Sequence, residues 1–295
     1  MKTIAITAPT GMLGGAVYNV LKDKYNLVLI FRNAEKINIL NKVYGDIEKH
    51  KKIQFDLNDI YQDYLDGFPK DDIGPNTKKF LDQVGSIDAF INCAGIIKPY
   101  STKKPATTLF INSCLPHILS HYYKDKLIQI TTDCVYDGLQ GAPYNEHAQH
   151  NPNDLYGLSK SLGEPSRDSL VLRTSIIGPE IHSFVSLIEW LKKQEGQTIQ
   201  GFTTHMWNGI TTRQFGRICD KIITERNAFP KNGLFHIFSN DVSKYEMITA
   251  FKDKYKVNVK IESTRPNPVD RRLSTIHSLC SELKIPSFKQ MVDEI

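Results

Sequence analysis

The stretch from Thr3 to Asp23 limits what this 295-residue chain can fold into more than any other. Thr3-Ile4-Ala5-Ile6-Thr7 has the length and content of a buried strand. Ala8-Pro9-Thr10-Gly11-Met12-Leu13-Gly14-Gly15 is a glycine-rich turn, and residues 16–23 are helical in pattern. A strand that enters a helix through glycines presents free backbone N–H groups at the helix start, and glycine is required where a ligand approaches the backbone. The arrangement suits a pyrophosphate and marks Thr10, Gly11, Met12, Leu13 and Gly14 as candidate cofactor contacts. Glycine turns also end strands for purely structural reasons, so the rest of the chain has to agree.

It agrees by alternation. Strand patterns recur at 27–31, 53–57, 87–91, 126–130, 170–174 and 235–238, with helical patterns at 105–123 despite Pro116, at 184–193 and at 245–254. Residues 58–86 are polar and broken by Pro69, Gly74 and Pro75, which predicts a surface helix with an irregular loop. Strand and helix in turn predict the α/β class, a Rossmann-type doubly wound parallel sheet with a smaller C-terminal substrate lobe. Residues 1–175, rejoined by 211–239, are expected to form the dinucleotide domain, and 176–210 with 240–295 the lobe.

Ligands sit off the carboxyl ends of such strands. Arg32 ends the second strand, where an acid suits the ribose of NAD and an arginine suits the 2′-phosphate of NADP, so Arg32 predicts NADPH. A solvated arginine after a strand is the alternative. Asp56, with Leu57, ends the third strand near the expected adenine. Cys93, Ala94 and Gly95 end the fourth with small residues that admit a flat ligand.

Tyr156-Gly157-Leu158-Ser159-Lys160 places a phenol and an ammonium one helical turn apart on one face. A phenol of ordinary pKa ~10 is a poor acid near neutrality, and a neighbouring cation favours its ionised form. The pair suits proton delivery to a carbonyl oxygen that is receiving hydride.

Composition closes other routes. A net charge of +5 from 37 basic and 32 acidic residues is too mild and dispersed for nucleic acid, yet tolerates a diphosphate. The five cysteines have neither Cys-x-x-Cys spacing nor a small disulfide scaffold around them, which predicts reduced thiols, a cytoplasmic location and no metal site. The apolar run at the N-terminus is too short for a signal-peptide core, and no run reaches the ~18 residues that would span a membrane.

Several motifs in this order carry a resemblance. They are the Thr7 to Gly14 turn, Asn92-Cys93-Ala94-Gly95, Thr131-Thr132-Asp133-Cys134-Val135-Tyr136-Asp137-Gly138, Pro143-Tyr144-Asn145-Glu146, the segment from Asp154 to Glu164, Leu172 to Gly178, and Trp207 to Thr212. Together they resemble the extended short-chain dehydrogenase/reductase superfamily, in its dTDP-4-dehydrorhamnose reductase-like branch. The later motifs look closest to reductases of UDP-2-acetamido-2,6-dideoxy-hexuloses. One position departs: Ala8 stands where the family has its first glycine, and an alanine holds the turn if its φ is negative.

The resemblance implies NADPH-dependent reduction of the C4 ketone of a nucleotide-linked 4-keto-6-deoxyhexose, on a catalytic triad of Thr132, Tyr156 and Lys160. Thr132 would bind the ketone oxygen and Tyr156 would protonate it. Lys160 would hold the nicotinamide ribose and lower the pKa of the phenol, with both Tyr156 and Lys160 touching cofactor. Asn112 would steady Lys160 through water, or serve structure alone. Lys98, Thr132, Asp133, Trp207, Arg265 and Arg271 would face the substrate. Arg272 joins the possible diphosphate clamp, and Phe202 lines the pocket or the core.

The chain also resembles GDP-fucose synthase at Cys134, where a cysteine two residues after the catalytic hydroxyl works with a later histidine in epimerisation. In an extended segment Cys134 would share a face with Thr132. His182 is then the expected partner and His205 the reserve, for C3 epimerisation before reduction; inert packing of Cys134 is the alternative. A dTDP-linked sugar is the other substrate expectation. An NADP-binding regulatory subunit without turnover, like that of methionine adenosyltransferase, is the non-enzymatic one. A 4,6-dehydratase would need Asp-Glu where the chain has Asp133-Cys134, and a redox sensor on this fold normally lacks the tyrosine and lysine. Homodimers are common in the branch, which leaves a homodimer open here.

Overall fold

A computed structural model describes residues 1–65 and 73–295. Its centre is a seven-stranded sheet formed by β1 (Thr3–Thr7), β2 (Asn26–Phe31), β3 (Lys51–Gln54), β4 (Ala89–Asn92), β5 (Leu127–Thr132), β6 (Leu170–Thr174) and the edge strand Gly233–His236. From one edge the order is Gly233–His236, β6, β5, β4, β1, β2, β3, and every neighbouring pair is parallel. The chain runs outward from β1 through β2 to β3, then returns to lay β4 on the other side of β1. That reversal opens the crevice at the carboxyl ends of β1 and β4 where ligands bind in open α/β sheets.

Burial on both faces explains the unbroken apolar strands. Successive residues feed opposite cores: Ile4 and Ile6 join Leu27, Leu29 and Phe31 on one face, while Ala5 joins Val28 and Ile30 on the other. A third core gathers Ile177, Ile188, Ile199, Ile248 and Phe251 from the C-terminal part. Two small sheets stand beside it. One pairs Thr198–Phe202 with Lys260–Thr264; the other sets His205–Trp207 between Val242–Ser243 and Val269–Asp270.

Boundaries differ from expectation for local reasons. α1 (Met12–Leu21) starts four residues before the expected Ala16, taking Gly14 and Gly15 into the helix. β3 is Lys51–Gln54, so Asp56 and Leu57 lie beyond its end rather than inside it. Residues 105–123 are helical but divided into Pro105–Leu109, a π-turn at Phe110–Cys114 and Leu115–Tyr123. The wide turn lets the Leu115 N–H reach Phe110 O, and Pro116, which has no N–H, follows at the start of the next piece. The expected helix at 184–193 shrinks to Leu187–Lys192, because Ser183 and Phe184 are left-handed at φ 72° and 49° and the Glu180 carboxylate takes the Val185 and Ser186 N–H groups. Of the expected surface helix and loop at 58–86, the helices Asp59–Leu65 and Pro75–Val84 are present, and residues 66–72 lie outside the described residues.

Candidate active site

The helix Leu155–Leu162 carries Tyr156 and Lys160. Asp154 caps it by accepting from the Gly157 N–H at 2.7 Å, and holds Lys98 in an ion pair at 2.8 Å. β5 ends at Thr132, and a 3₁₀ turn, Asp133–Val135, follows. The helix lies so close to this turn that a Cβ on Gly157 would stand 2.2 Å from Cys134 O. Only glycine permits that approach, and the approach brings Tyr156 into hydrogen-bonding contact with Thr132. Thr132 Oγ1 donates to Asp133 Oδ1 at 3.0 Å and accepts from Cys134 N at 3.1 Å.

Burial raises the Tyr156 phenol above its ordinary pKa, and the charges of Cys134, Asp133 and Asp154 add to this against the Thr132 hydrogen bond. Burial outweighs the influences that oppose it, so Tyr156 remains a proton donor. Lys160 itself is buried, which pushes its ammonium down to about 8 against the opposing charges of Cys93 and Glu164. It points under Gly95, where an added Cβ would lie 3.0 Å from Nζ. Asn112 contacts Lys160 through no hydrogen bond. Its Oδ1 accepts from Ile96 N at 2.8 Å, and its Nδ2 donates to Ile96 O at 2.9 Å and Ser159 Oγ at 3.0 Å. It braces the loop after β4 against the catalytic helix.

At the crevice, Gly11 caps α1 with no side-chain hydrogen bond, and the first turn holds no acid, so the helix start is open to an anion. A Cβ on Gly14 would lie 2.1 Å from Ala8 O, which fixes glycine there. Ala8 has φ +48°, not the negative value an alanine was expected to need, and Gly11 N donates to Ala8 O at 2.9 Å to close the turn. Arg32 lies directly after β2, exposed, with Asp56 3.8 Å away. The Cys93 and Ala94 backbone N–H groups donate to Thr7 Oγ1 at 2.9 and 3.1 Å. This set fits a dinucleotide with an extra phosphate, by its open helix start, its small residues after β4 and the exposed Arg32 guanidinium, held among the described residues only by a long ion pair to Asp56.

Beside Thr132 a cavity of about 420 Å³ opens toward the small sheets. Lys98, Asp133, Cys134, Trp207 and Arg271 line it, together with His205. Cys134 arrives by a 3₁₀ turn and not by strand alternation, and burial with the Asp133 charge pushes its thiol up to about 11. His182 does not meet it. That ring lies against the Thr10 backbone and hydrogen-bonds Ser183 Oγ at 2.7 Å, outside the cavity lining. His205, the reserve, is in the lining and stacks edge-on with Phe202 at 4.8 Å. Arg265 is exposed after Lys260–Thr264 and does not line the cavity. Arg272 is taken by Asp270 at 2.7 Å and Asp241 at 2.5 Å, so neither forms the expected clamp.

Residues 83–278 match the RmlD substrate binding domain. The chain belongs to that family. Two curated relatives align with parts of it. The spore coat polysaccharide biosynthesis protein SpsK of Bacillus subtilis (strain 168) is 26% identical over 143 residues, 46% of this chain and 48% of that protein. Methionine adenosyltransferase 2 subunit beta of Danio rerio is 33% identical over 150 residues, 44% of each. The chain thus spans less than half the length of the curated relatives it matches. Among solved structures, a dTDP-4-dehydrorhamnose reductase from Clostridium acetobutylicum superposes with a TM-score of 0.69 at 21% identity, over 99% of this chain and 97% of that one. At that identity the likeness is one of fold.

Two features of this RmlD-family chain escaped the reading of its sequence. Lys244, the first residue of the helix Lys244–Tyr255, lines the cavity. A cation at a helix start opposes the macrodipole, and that local misfit was the available signal. Arg173, an arginine inside an apolar strand, is buried with all five N–H groups used. Nε and Nη2 donate to Glu164 at 3.0 and 2.5 Å, Nη1 to Tyr136 Oη at 2.6 Å and His236 Nε2 at 2.8 Å, and Nη2 also to His150 Nε2 at 2.7 Å. His150 Nδ1 in turn meets Ser161 Oγ on the catalytic helix at 2.6 Å.

Proposed function

We propose that the chain reduces the C4 ketone of a nucleotide-linked 4-keto-6-deoxyhexose with NADPH. The observation that carries this is Tyr156: a phenol kept protonated by burial, in contact with Thr132, whose neighbours Asp133 and Cys134 line the cavity. In this reading residues 1–175 and 211–239 hold the cofactor, and 176–210 and 240–295 the sugar nucleotide.

NADPH, when bound, supplies the hydride. Thr132 orients the ketone oxygen by hydrogen bonding, and Tyr156 Oη gives that oxygen its proton as negative charge develops there. The Lys160 ammonium under Gly95 holds the ribose and steadies the phenolate that Tyr156 leaves. Asn112 and the Lys98–Asp154 pair fix the helix that carries both groups. Arg32, beyond β2, meets the 2′-phosphate.

The preferred substrate is a UDP-2-acetamido-2,6-dideoxy-hexulose, with the dTDP-linked 4-keto-6-deoxyhexose as the alternative. Simple reduction is better supported than reduction after C3 epimerisation. A thiol held near 11 is a weak source of thiolate, and His205 is the one histidine that lines the cavity with Cys134 among the described residues. A second reading, an NADP-binding regulatory subunit, is favoured by the alignment with methionine adenosyltransferase 2 subunit beta.

The experiment is incubation with NADPH and each keto-sugar in heavy water, following cofactor absorbance and product mass. Oxidation with no solvent deuterium at C3 is expected. Deuterium at C3 that disappears in Cys134→Ala would restore epimerisation. Tight NADPH binding without oxidation on either sugar would refute the reductase and favour the regulatory role.

A further inference from the structure

Three cations line the cavity, and two of them are engaged. Lys98 pairs with Asp154 at 2.8 Å; Arg271 donates from Nε to Tyr136 O at 2.9 Å and from Nη2 to Asp137 O at 3.0 Å. Lys244 has no hydrogen bond and no ion pair on its ammonium among the described residues, although burial holds its pKa below the ordinary lysine value and only the charge of Asp133 opposes that. Asp133 does not pair with it; its carboxyl is buried, bonded to Thr132 at 3.0 Å and to the Ser175 hydroxyl. A partly desolvated ammonium without a partner is costly to hold. Its position compounds the cost, since it begins a helix capped by Ser243 with Glu246, where the dipole repels a cation. The ammonium takes no partner from the fold among the described residues, so its charge is available to what enters the cavity.

We propose that Lys244 is a positioning residue that holds the diphosphate of the bound nucleotide. This rests on the nucleotide-linked substrate of the proposed function and adds to it the residue that reads its charge. A 4-keto-6-deoxyhexose carries no ionised group, so the diphosphate is the part of such a ligand that matches an unpaired ammonium. The cavity's other lining supports the division of labour. Trp207 and Met247 offer apolar surface in the same lining, suited to a sugar ring or a base.

The test is calorimetric titration of UDP and of dTDP into the NADPH-saturated protein, wild type, Lys244→Met and Lys244→Arg. A charge-assisted hydrogen bond to phosphate predicts a loss of about 10- to 100-fold in affinity for Lys244→Met. The affinity of Lys244→Met should also fall less with added salt than that of the wild type, while Lys244→Arg keeps most of the binding. NADPH affinity should be unchanged, and the melting temperature of Lys244→Met equal to or above that of the wild type. A merely structural lysine would not give a binding loss without a stability loss. Where turnover is present, KM should rise with kcat little changed.

Undiminished UDP and dTDP affinity in Lys244→Met would overturn the proposal, as would a wild type that binds neither nucleotide. A wild type that binds nucleotide through Lys244 yet oxidises no NADPH would support the proposal and refute the reductase.

Discussion

The Arg173 network makes the fold sensitive to mild acid. An arginine can only donate, so His236 Nε2 and His150 Nε2, at 2.8 and 2.7 Å from the guanidinium, must both be acceptors. Each ring then carries its proton on Nδ1, which His236 gives to Tyr144 O at 3.1 Å and Ser274 O at 2.7 Å, and His150 to Ser161 Oγ at 2.6 Å. A second proton on either ring would face a cation. Burial and the Arg173 charge accordingly push the fully buried His236 from 6.5 down to about 4, and His150 in the same direction.

The folded state therefore binds fewer protons than the unfolded chain between pH 6.5 and about 4, and stability falls as pH falls through that window. For His236 alone the loss from pH 7 to pH 5 is about 2 kcal/mol, or roughly 3 °C in melting temperature for a chain of this length. The carboxylates held low, Asp46, Asp63, Glu146 and Asp154, lose their contributions only as pH drops through and below the ordinary carboxylate range, so they do not obscure it. His50 and His182 are also held low and add to the same slope. Hence the control is His236→Gln, which keeps an acceptor for Arg173 and cannot titrate. Thermal melts from pH 5 to 7 should be steep for wild type and shallower by about 2 kcal/mol for the variant. Equal slopes in the two proteins would refute the assignment of His236 as a buried neutral acceptor.

Gly157→Ala should cost more than about 2 kcal/mol and most of the activity, since its methyl would collide with Cys134 O and push Tyr156 away from Thr132; denaturant titration and NADPH oxidation measure both. Ala8→Gly should stabilise by about 0.5–1 kcal/mol, because relief of a left-handed alanine outweighs the flexibility added to the unfolded chain; the denaturation midpoint reports it. Lys160 is charged below about 8, so NADPH affinity should decline as pH rises through that value, and Lys160→Met should bind weakly with no such dependence; fluorescence titration across pH 6.5–9.5 distinguishes them.

What could be read ahead of the structure was local. β1 follows from its short apolar run and β6 from Leu170-Val171-Leu172, and the spacing of Tyr156 and Lys160 survives because a helix fixes it. What could not be read depended on contacts across the chain. The sequence favours His182 over His205 by its place after Gly178-Pro179, yet His182 lies against Thr10 beside the left-handed Ser183 and Phe184, while His205 lines the cavity. Cys134 looked like a strand residue because nothing local announces that β5 stops at Thr132. Arg173 signalled burial by its apolar neighbours, but Glu164, His150 and His236 are brought to it by three different parts of the fold. Arg272 was an avoidable error: Asp270, two residues away, was visible as a local partner.

The central claim is a transfer of hydride to carbon with the proton coming from Tyr156. It is tested most directly by a single turnover with NADPH deuterated at the transferred position of the nicotinamide, on wild type and Tyr156→Phe. Mass analysis of the sugar should find one deuterium at C4 in the wild-type product and almost no product from the variant, which should still bind NADPH. Deuterium at C4 formed at an undiminished rate by Tyr156→Phe, or none formed by the wild type on either the UDP- or the dTDP-linked ketone, would contradict it.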